Sequence, residues 1–165
     1  MSKPKTSIKL LVQEFIDGQD LERELNQKGK FSEAQVKEVL IEVLNILKFV
    51  HENGSIHRDI KPSNIILKPD GQLTLIDFGA VRQVTKTIMA GGQSTGIFTA
   101  GYAPPEQEKG HAVPQSDFYA LGRTFVYLLT GKEPNDPTIY DAACQIKNKH
   151  LTRRVKGASG FFFIF

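Results

Sequence analysis

Cysteine is nearly absent from this chain, and Cys144 is the only one in 165 residues. A single cysteine excludes an internal disulfide framework, and such scarcity is typical of proteins in reducing compartments. The length and a hydrophobic content of 40% suit one globular domain with a sizeable core. We therefore expect a fold stabilised by its core and not by disulfide bonds.

Long apolar runs are also missing. Residues 1–15 start with basic side chains, but their apolar run is only Leu10-Leu11-Val12, which is too short for a secretory signal peptide. No segment approaches the roughly 20 apolar residues that cross a bilayer. These absences predict a chain with no membrane span and a cytoplasmic location.

An excess of basic charge occurs only near the end of the chain. The net charge of +3 becomes −2 when the five basic residues after Asp141 are set aside. No aromatic residue is interleaved with those five, a pattern typical of a solvated tail. The distribution therefore predicts no nucleic-acid partner, and it divides the chain into a domain at 1–141 and a basic, apolar tail at 142–165.

Three segments carry the signals of α-helices. Residues 32–35 read Ser-Glu-Ala-Gln, a capping-box pattern, and apolar residues then recur at helical spacing over 36–50 until an Asn-Gly pair. A second helix is predicted over 116–131, with Ser116 as its cap and a glycine at its end. A shorter helix is predicted over 20–25, capped by its first residue, an aspartate.

Strand signals are short. Residues 10–15 are predicted to form one strand, and the apolar runs 65–67 and 73–76 are predicted to form a hairpin through the turn 68–72. Over 81–101 the composition changes to Thr, Ser and Gly without apolar periodicity. That pattern predicts a long loop, and long loops in compact domains are usually functional.

Side chains suited to phosphate chemistry surround the predicted hairpin. Asp59, Lys61 and Asn64 precede it, and Asp77 follows it directly. Phosphoryl transfer to a hydroxyl needs an acceptor for the alcohol proton and a divalent cation on the phosphates. Carboxylate and amide oxygens are the hard ligands that Mg²⁺ prefers. Each residue alone is most simply a surface loop residue, but together they indicate a phosphoryl-transfer site.

Three motifs occur in a telling order: His-Arg-Asp-Ile-Lys-Pro-Ser-Asn at 57–64, Asp-Phe-Gly at 77–79 and Gly-Tyr-Ala-Pro-Pro-Glu at 101–106. They resemble the catalytic loop, the metal-binding motif and the end of the activation segment of eukaryotic-like, bacterial-type serine/threonine protein kinases. The resemblance covers roughly 10–134. It implies an α+β, mainly α-helical fold, comprising the hinge and most of the large C-terminal lobe, with a short β-hairpin at the active site and the small lobe missing. Residues 1–141 would then be a partial protein kinase domain.

The resemblance also implies roles for individual residues. Asp59 would be the catalytic base, Lys61 would lie beside the transferred phosphate, and Thr99 would brace both. Asn64 and Asp77 would bind Mg²⁺ and, through it, ATP. ATP and Mg²⁺ are therefore the expected cofactors.

The nucleotide base has its own expected contacts. Residues 13–17 resemble the kinase hinge, where backbone groups near Glu14 and Ile16 would bond adenine. Ile66 would form an apolar floor beneath the base. Core packing is an equal alternative for Ile66.

Further residues match the family without a chemical role of their own. Asp117 resembles the long-helix aspartate that holds the backbone of the catalytic loop, although an acid in a first helical turn is also common. His57 would pack against Phe78 and take no part in acid–base catalysis. Arg58 would pair with a phosphorylated hydroxyl in the loop, for which the candidates are Thr85, Thr87, Ser94 and Thr95.

The kinase pattern is incomplete at its start. Neither a Gly-x-Gly-x-x-Gly loop nor a lysine in a Val-Ala-Ile-Lys context precedes the hinge. The expected function is transfer of the ATP γ-phosphate to serine or threonine hydroxyls of a protein substrate, with the isolated chain inactive unless an upstream small lobe or a partner kinase completes it. A non-catalytic, pseudokinase-like interaction module and a gene fragment are the alternatives.

Overall fold

The structure, a computed structural model, describes residues 14–78, 82–83 and 98–139. Helices dominate these residues, and the strands are short and antiparallel. The predicted α+β, mainly helical fold is confirmed. The predicted strand at 10–15 lies mostly outside the described residues, and its last two residues are not in a strand.

The first helix, α1 (Leu21–Lys28), follows a two-residue strand, β1 (Gln19–Asp20). The Asp20 carboxylate accepts a hydrogen bond from the backbone N–H of Arg23 at 2.9 Å, which satisfies one of the free donors at the start of the helix. The helix runs three residues beyond the predicted end at Leu25 and stops at Gly29. Its buried residues Leu21 and Leu25 enter the core.

The longest helix, α2 (Glu33–Glu52), begins at the predicted capping box. The backbone N–H of Ser32 donates to Gln35 Oε1 at 2.9 Å, and the N–H of Gln35 donates to Ser32 Oγ at 3.3 Å. The apolar residues at helical spacing form one buried face: Val36, Val39, Val43, Leu47 and Val50. This confirms the predicted helix, which packs against the other long helix and the hairpin.

The predicted hairpin is also confirmed. Strands β3 (Ile65–Leu67) and β4 (Leu73–Leu75) pair antiparallel, and β1 adds to the outer edge of β3. The Ile76 N–H extends the ladder by donating to the Asn64 carbonyl at 3.0 Å. A short 3-10 turn, Pro62–Asn64, leads into β3. The open end of the hairpin therefore brings the segments before Ile65 and after Leu75 together.

A second pair of strands was not predicted. Strand β2 (Ser55–Ile56) pairs antiparallel with β5 (Arg82–Gln83). Residues 82–83 lie in the segment predicted as a loop, so the prediction is wrong for these two residues. The strand was missed because backbone pairing with a strand distant in sequence gives no local apolar periodicity. The rest of the predicted loop as far as residue 97 lies outside the described residues.

Two further helices complete the described chain. A single turn, α3 (Pro105–Glu108), precedes α4 (Pro114–Thr130), which ends at Gly131 in a left-handed conformation. The prediction that Ser116 caps α4 is wrong by three residues, because the N-cap is Val113. Ser116 lies inside the first turn, and its hydroxyl accepts from the Val113 N–H at 3.1 Å, so it stabilises the helix start from within.

The core lies between α1, α2, α4 and the hairpin. Ile60, in the loop that follows β2, is fully buried in this core. The loop at 57–61 is therefore anchored at its centre, and its polar residues stand at the edge of the core. No helix in the described part of the chain is long and apolar enough to cross a membrane.

Gly18 marks a close approach between the chain before β1 and strand β3. A Cβ added there would lie 2.6 Å from Ile66 Cγ2 and 2.6 Å from the carbonyl oxygen of Leu67. We expect Gly18→Ala to lower the free energy of unfolding by about 2 kcal/mol because of this overpacking. Urea denaturation followed by circular dichroism measures the effect.

Gly71→Ala is the matched control for Gly18→Ala. Gly71 also has a positive φ, 86°, but an added Cβ would meet nothing within 4 Å. Only the backbone conformation is then penalised, by about 1 kcal/mol. Equal losses for the two variants would contradict the close contact at Gly18.

Candidate active site

The backbone of the loop at 57–61 is held by one buried carboxylate. Asp117, in the first turn of α4, is fully buried and accepts from the N–H groups of His57 at 3.0 Å and Arg58 at 2.7 Å. The ring of His51, in the last turn of α2, bonds the same carboxylate at 2.8 Å. The contacts predicted for Asp117 are confirmed, and His51 is a third partner that the sequence reasoning missed.

The loop has an unusual backbone conformation at the residue before Asp59. Arg58 has a φ of 70°, in the left-handed region that side-chain-bearing residues rarely adopt. Its carbonyl oxygen accepts from Gln107 Nε2 at 2.5 Å. Such strain persists only where the surroundings fix the backbone, and here bonds from α3 and α4 do so.

Asp59 lies at the centre of a polar cluster. Its Oδ1 accepts from the Thr99 hydroxyl at 2.7 Å, and its Oδ2 lies 2.9 Å from Lys61 Nζ. Asn64 Nδ2 donates to the same Oδ2 at 2.9 Å and to the Asp59 carbonyl at 2.8 Å. Lys61 Nζ also donates to Thr99 Oγ1 at 2.9 Å. The structure therefore brings together four residues that the sequence singled out.

These contacts decide the charge state of Asp59. Burial by itself would raise the pKa of the carboxyl group, but the hydrogen bonds from Thr99, Lys61 and Asn64, with the positive charge of Lys61, outweigh it. The pKa of Asp59 is lowered from its ordinary value. The carboxylate is consequently ionised at neutral pH and able to accept a hydrogen bond from an incoming hydroxyl.

We expect Thr99→Val to raise the pKa of Asp59, because it removes the closest donor to the carboxylate. In the wild-type chain the folded-state pKa lies below the unfolded one. The stability contributed by ionised Asp59 is therefore complete above the ordinary Asp pKa of about 3.9 and is lost as the pH falls through the folded value. In the variant the folded-state titration of Asp59 should move to higher pH, and the stability that depends on the pKa difference should become smaller. Carboxyl ¹³C NMR titration measures it.

Thr74→Val serves as the control for Thr99→Val. Thr74 lies in β4 and makes none of the Asp59 contacts. Its replacement should leave the titration of Asp59 as it is in the wild type. A Thr99→Val titration that coincides with both would contradict the role given to the hydroxyl.

His57 connects the Asp59 loop to the segment that contains Asp77. Its Nδ1 accepts from the Asp59 N–H at 3.4 Å, its Nε2 donates to the Ile76 carbonyl at 3.1 Å, and its ring packs on Phe78 with centroids 4.8 Å apart. Burial lowers the pKa of His57 despite the nearby carboxylates. The predicted packing against Phe78 is confirmed, and the neutral ring acts as a structural bridge.

Asn64 and Asp77 lie at the open end of the hairpin. Asn64 pairs with Ile76, the residue before Asp77, through the backbone bond described above. The Asn64 side chain bonds the Asp59 carbonyl and carboxylate through its amide nitrogen, so neither bond involves its amide oxygen. Asp77 has a φ of 63°, a second strained position beside the cluster.

The donor set at this end of the hairpin fits Mg²⁺ better than a softer metal. One carboxylate and one amide supply hard oxygen ligands, and Mg²⁺ completes its shell with waters and phosphate oxygens. No group of three or more His, Cys, Asp or Glu residues with metal-binding geometry occurs within the described ranges.

The predicted hinge residues line a separate open cavity of about 590 Å³. Its walls include Glu14 and Ile16 on one side and the turn between β3 and β4 on the other. Ile66 is buried beside Gly18 and does not line this cavity. None of the residues bonded to Asp59 lines it either. The contacts to adenine stay predictions.

Comparison with known proteins agrees with this geometry. A sequence model of the protein kinase domain matches residues 2–158. The chain belongs to the protein kinase family. The boundary predicted at residue 141 stays a prediction.

Curated relatives narrow the family to bacterial-type serine/threonine kinases. The chain is 55% identical over 134 residues to serine/threonine-protein kinase F of Synechocystis sp., a match covering 80% of this chain and 27% of that protein. It is 48% identical over 131 residues to serine/threonine-protein kinase PknA of Nostoc sp., covering 76% and 23%. A probable serine/threonine-protein kinase PknB of Lactococcus lactis is 34% identical over 147 residues, covering 88% and 23%. This kinase chain thus spans about a quarter of the length of these relatives.

Two contacts escaped the sequence reasoning. His51 gives only a weak signal, a histidine in the last helical turn before Asn53-Gly54. Gln107 directly follows the 101–106 motif and gives no signal from periodicity. The predicted phosphorylation candidates Thr85, Thr87, Ser94 and Thr95 lie outside the described residues.

Proposed function

We propose that this chain is the catalytic large lobe of a serine/threonine protein kinase, which transfers the ATP γ-phosphate to serine or threonine hydroxyls of a protein substrate. The observation that supports this most is the Asp59 carboxylate, bonded at once by Lys61, Thr99 and Asn64. An ionised, oriented carboxylate beside a lysine matches the demands of phosphoryl transfer, in which positioning and electrostatics supply most of the acceleration.

Asp59 is the group that receives the substrate hydroxyl. A carboxylate offers about four lone-pair sites, and the described bonds to Thr99, Lys61 and Asn64 occupy three of them. One acceptor position remains for an alcohol O–H. Because its pKa is lowered, the carboxyl group is ionised at neutral pH and can orient that hydroxyl.

Lys61 and Thr99 prepare the site for the transferred phosphate. The Lys61 ammonium lies against both Asp59 and Thr99, so its position is set before a substrate arrives. The positive charge of Lys61 would partly neutralise the negative charge of a phosphoryl group placed next to Asp59. A lysine at this position of the loop is similar to the pattern of serine/threonine kinases and not to that of tyrosine kinases.

Asn64 and Asp77 would hold Mg²⁺, which when bound neutralises phosphate charge and orients the nucleotide. The chain's own contribution is the fixed hairpin end: the Asn64 amide is oriented by Asp59, and the position of Asp77 is set by the Ile76 bonds to Asn64 and His57. Glu14 and Ile16 would supply backbone contacts to adenine, with Ile66 beneath it. Cytoplasmic location is proposed on the composition alone.

The proposal predicts different behaviour for the isolated chain and for a completed one. The 165-residue chain tested alone should transfer no phosphate above background, because it is tested without the glycine loop and the lysine of a small lobe. Loss of one preorganised donor typically lowers kcat by about 10²–10³-fold. A chimera with a kinase small lobe, including its glycine loop and lysine, fused ahead of Leu10 should phosphorylate a generic protein substrate. Radiolabelled ATP measures both reactions.

Calorimetry with Mg-ATP separates the proposal from the interaction-module alternative. We expect the chimera to bind Mg-ATP and to lose that binding when Asp77 is replaced by Asn. A folded chimera, judged by circular dichroism, that binds no Mg-ATP would favour a non-catalytic module. Efficient transfer by the isolated chain would contradict the need for a small lobe.

A further inference from the structure

Gln107 is a buried polar residue for which the proposed chemistry gives no role. It lies in α3, its side chain is only 4% exposed, and its Nε2 donates to the Arg58 carbonyl, 49 residues earlier in the chain. A buried amide is stable only with partners. Among the described residues, its side-chain partner is the carbonyl of Arg58, the residue before Asp59.

The bond acts on a peptide whose orientation is otherwise unfavourable. The left-handed φ of Arg58 turns its carbonyl away from the direction that an ordinary loop would give it. Asp117 holds the N–H of Arg58, and Gln107 holds the C=O. The two bonds together fix the orientation of Arg58, and the next Cα along the chain carries the Asp59 carboxylate.

Two residues of the segment at 99–107 donate hydrogen bonds to the catalytic loop. Thr99 donates to the Asp59 carboxylate, and Gln107 donates to the preceding carbonyl. Each donor belongs to a hydrogen-bonded turn of this segment: the Tyr102 N–H bonds Thr99 O at 3.1 Å, and the Gln107 N–H bonds Pro104 O at 3.0 Å. Glu106, beside Gln107, accepts from Ser116 Oγ at 3.1 Å, which ties α3 to α4.

We propose that Gln107 is a positioning residue for Asp59: by holding the Arg58 carbonyl it transmits the placement of the segment 99–107 to the catalytic carboxylate. The inference rests on the proposed function, because Asp59 is taken as the group that orients the substrate hydroxyl. Because Gln107 is buried and bonds the Arg58 carbonyl, we assign it no contact with substrate or nucleotide. Its loss should lower the rate of transfer and leave nucleotide binding intact.

The test uses two variants of similar size and one control. Gln107→Met keeps the volume and removes the donor, whereas Gln107→Glu places an acceptor against the Arg58 carbonyl. Glu108→Gln, on the exposed side of the same helix, is the control. In the 165-residue chain, ¹³C NMR follows the Arg58 carbonyl and the Asp59 carboxyl signals, and both should shift in the Gln107 variants but not in the control.

Steady-state kinetics in the small-lobe chimera provide the functional measurement. Gln107→Met should lower kcat about tenfold and leave the KM for ATP unchanged, because misplacement of a reacting group affects the transition state more than ground-state binding. An unshifted Arg58 carbonyl in a folded variant, or a kcat equal to that of the control, would overturn the inference. If the wild-type chimera transfers no phosphate, the proposed function fails, and the two NMR signals still decide whether Gln107 sets the geometry of Arg58 and Asp59.

Discussion

Replacing Asp59 by Asn in the small-lobe chimera is expected to lower kcat for phosphoryl transfer by about 10²–10⁴-fold. The substitution preserves size and removes the negative charge that we propose accepts the substrate proton. It also places an amide against Lys61 and Asn64, both of which donate to Asp59 Oδ2 in the wild type. The measurement is single-turnover transfer from labelled ATP at saturating Mg-ATP.

Asp70→Asn is the matched control for this substitution. Asp70 lies in the turn between β3 and β4, bonds the Gln72 N–H and the Lys68 ammonium, and contacts none of the Asp59 cluster. It should retain wild-type kcat. An Asp59→Asn rate close to that of Asp70→Asn would remove Asp59 from the chemistry and with it the proposed mechanism.

The largest loss of stability is expected for Asp117→Ala. The variant leaves the N–H groups of His57 and Arg58 and the ring of His51 without the acceptor they share. Removing one partner from a buried charged network typically costs about 3–5 kcal/mol. Since small domains are stable by only about 5–15 kcal/mol, we expect the urea midpoint to fall by a large fraction of its wild-type value.

Gln115→Ala tests whether the loss at Asp117 is specific. Gln115 is exposed in the same helical turn, so its replacement should change the free energy of unfolding by less than about 0.5 kcal/mol. The tryptophan-free chain is followed by far-ultraviolet circular dichroism. A loss below about 1 kcal/mol for Asp117→Ala would mean that water or other groups replace the carboxylate.

Local patterns in the sequence predicted the regular elements well. The capping box at Ser32 and the period of the apolar residues after it identified α2, because a helix satisfies its own backbone and shows one face to the core. The hairpin was equally visible, since two short apolar runs flank a turn with Asp70-Gly71. In each case the residues that give the signal belong to the element itself or directly flank it.

Long-range contacts were predicted only where the family motifs supplied them. The resemblance brought Asp59, Lys61, Asn64 and Thr99 together, and the structure places them within hydrogen-bonding distance. The pairing of β2 with β5 and the start of α4 before Ser116 were missed or misplaced. Both depend on partners distant in sequence or on the geometry of a single turn, neither of which changes the local period.

The contacts of His51 and Gln107 show the same limit for the site. His51 bonds the Asp117 carboxylate, 66 residues later in the chain, and Gln107 bonds the Arg58 carbonyl, 49 residues earlier. A buried acid at the start of α4 and a strained Arg58 both require additional partners. Which side chain supplies them follows from packing and is not readable from spacing.

The single carboxylate at the start of α4 has a practical consequence for engineering. Asp117 stabilises the fold and also holds the loop that carries the proposed catalytic base. Screens for abundance and screens for turnover would therefore both flag Asp117 and could not separate its two roles. Mutant libraries should leave Asp117 and its hydrogen-bond partners His51, His57 and Arg58 unchanged. Substitutions are better placed at the exposed positions of the long helices. A variant that loses activity there is expected to have changed in substrate binding and not in the stability of the fold.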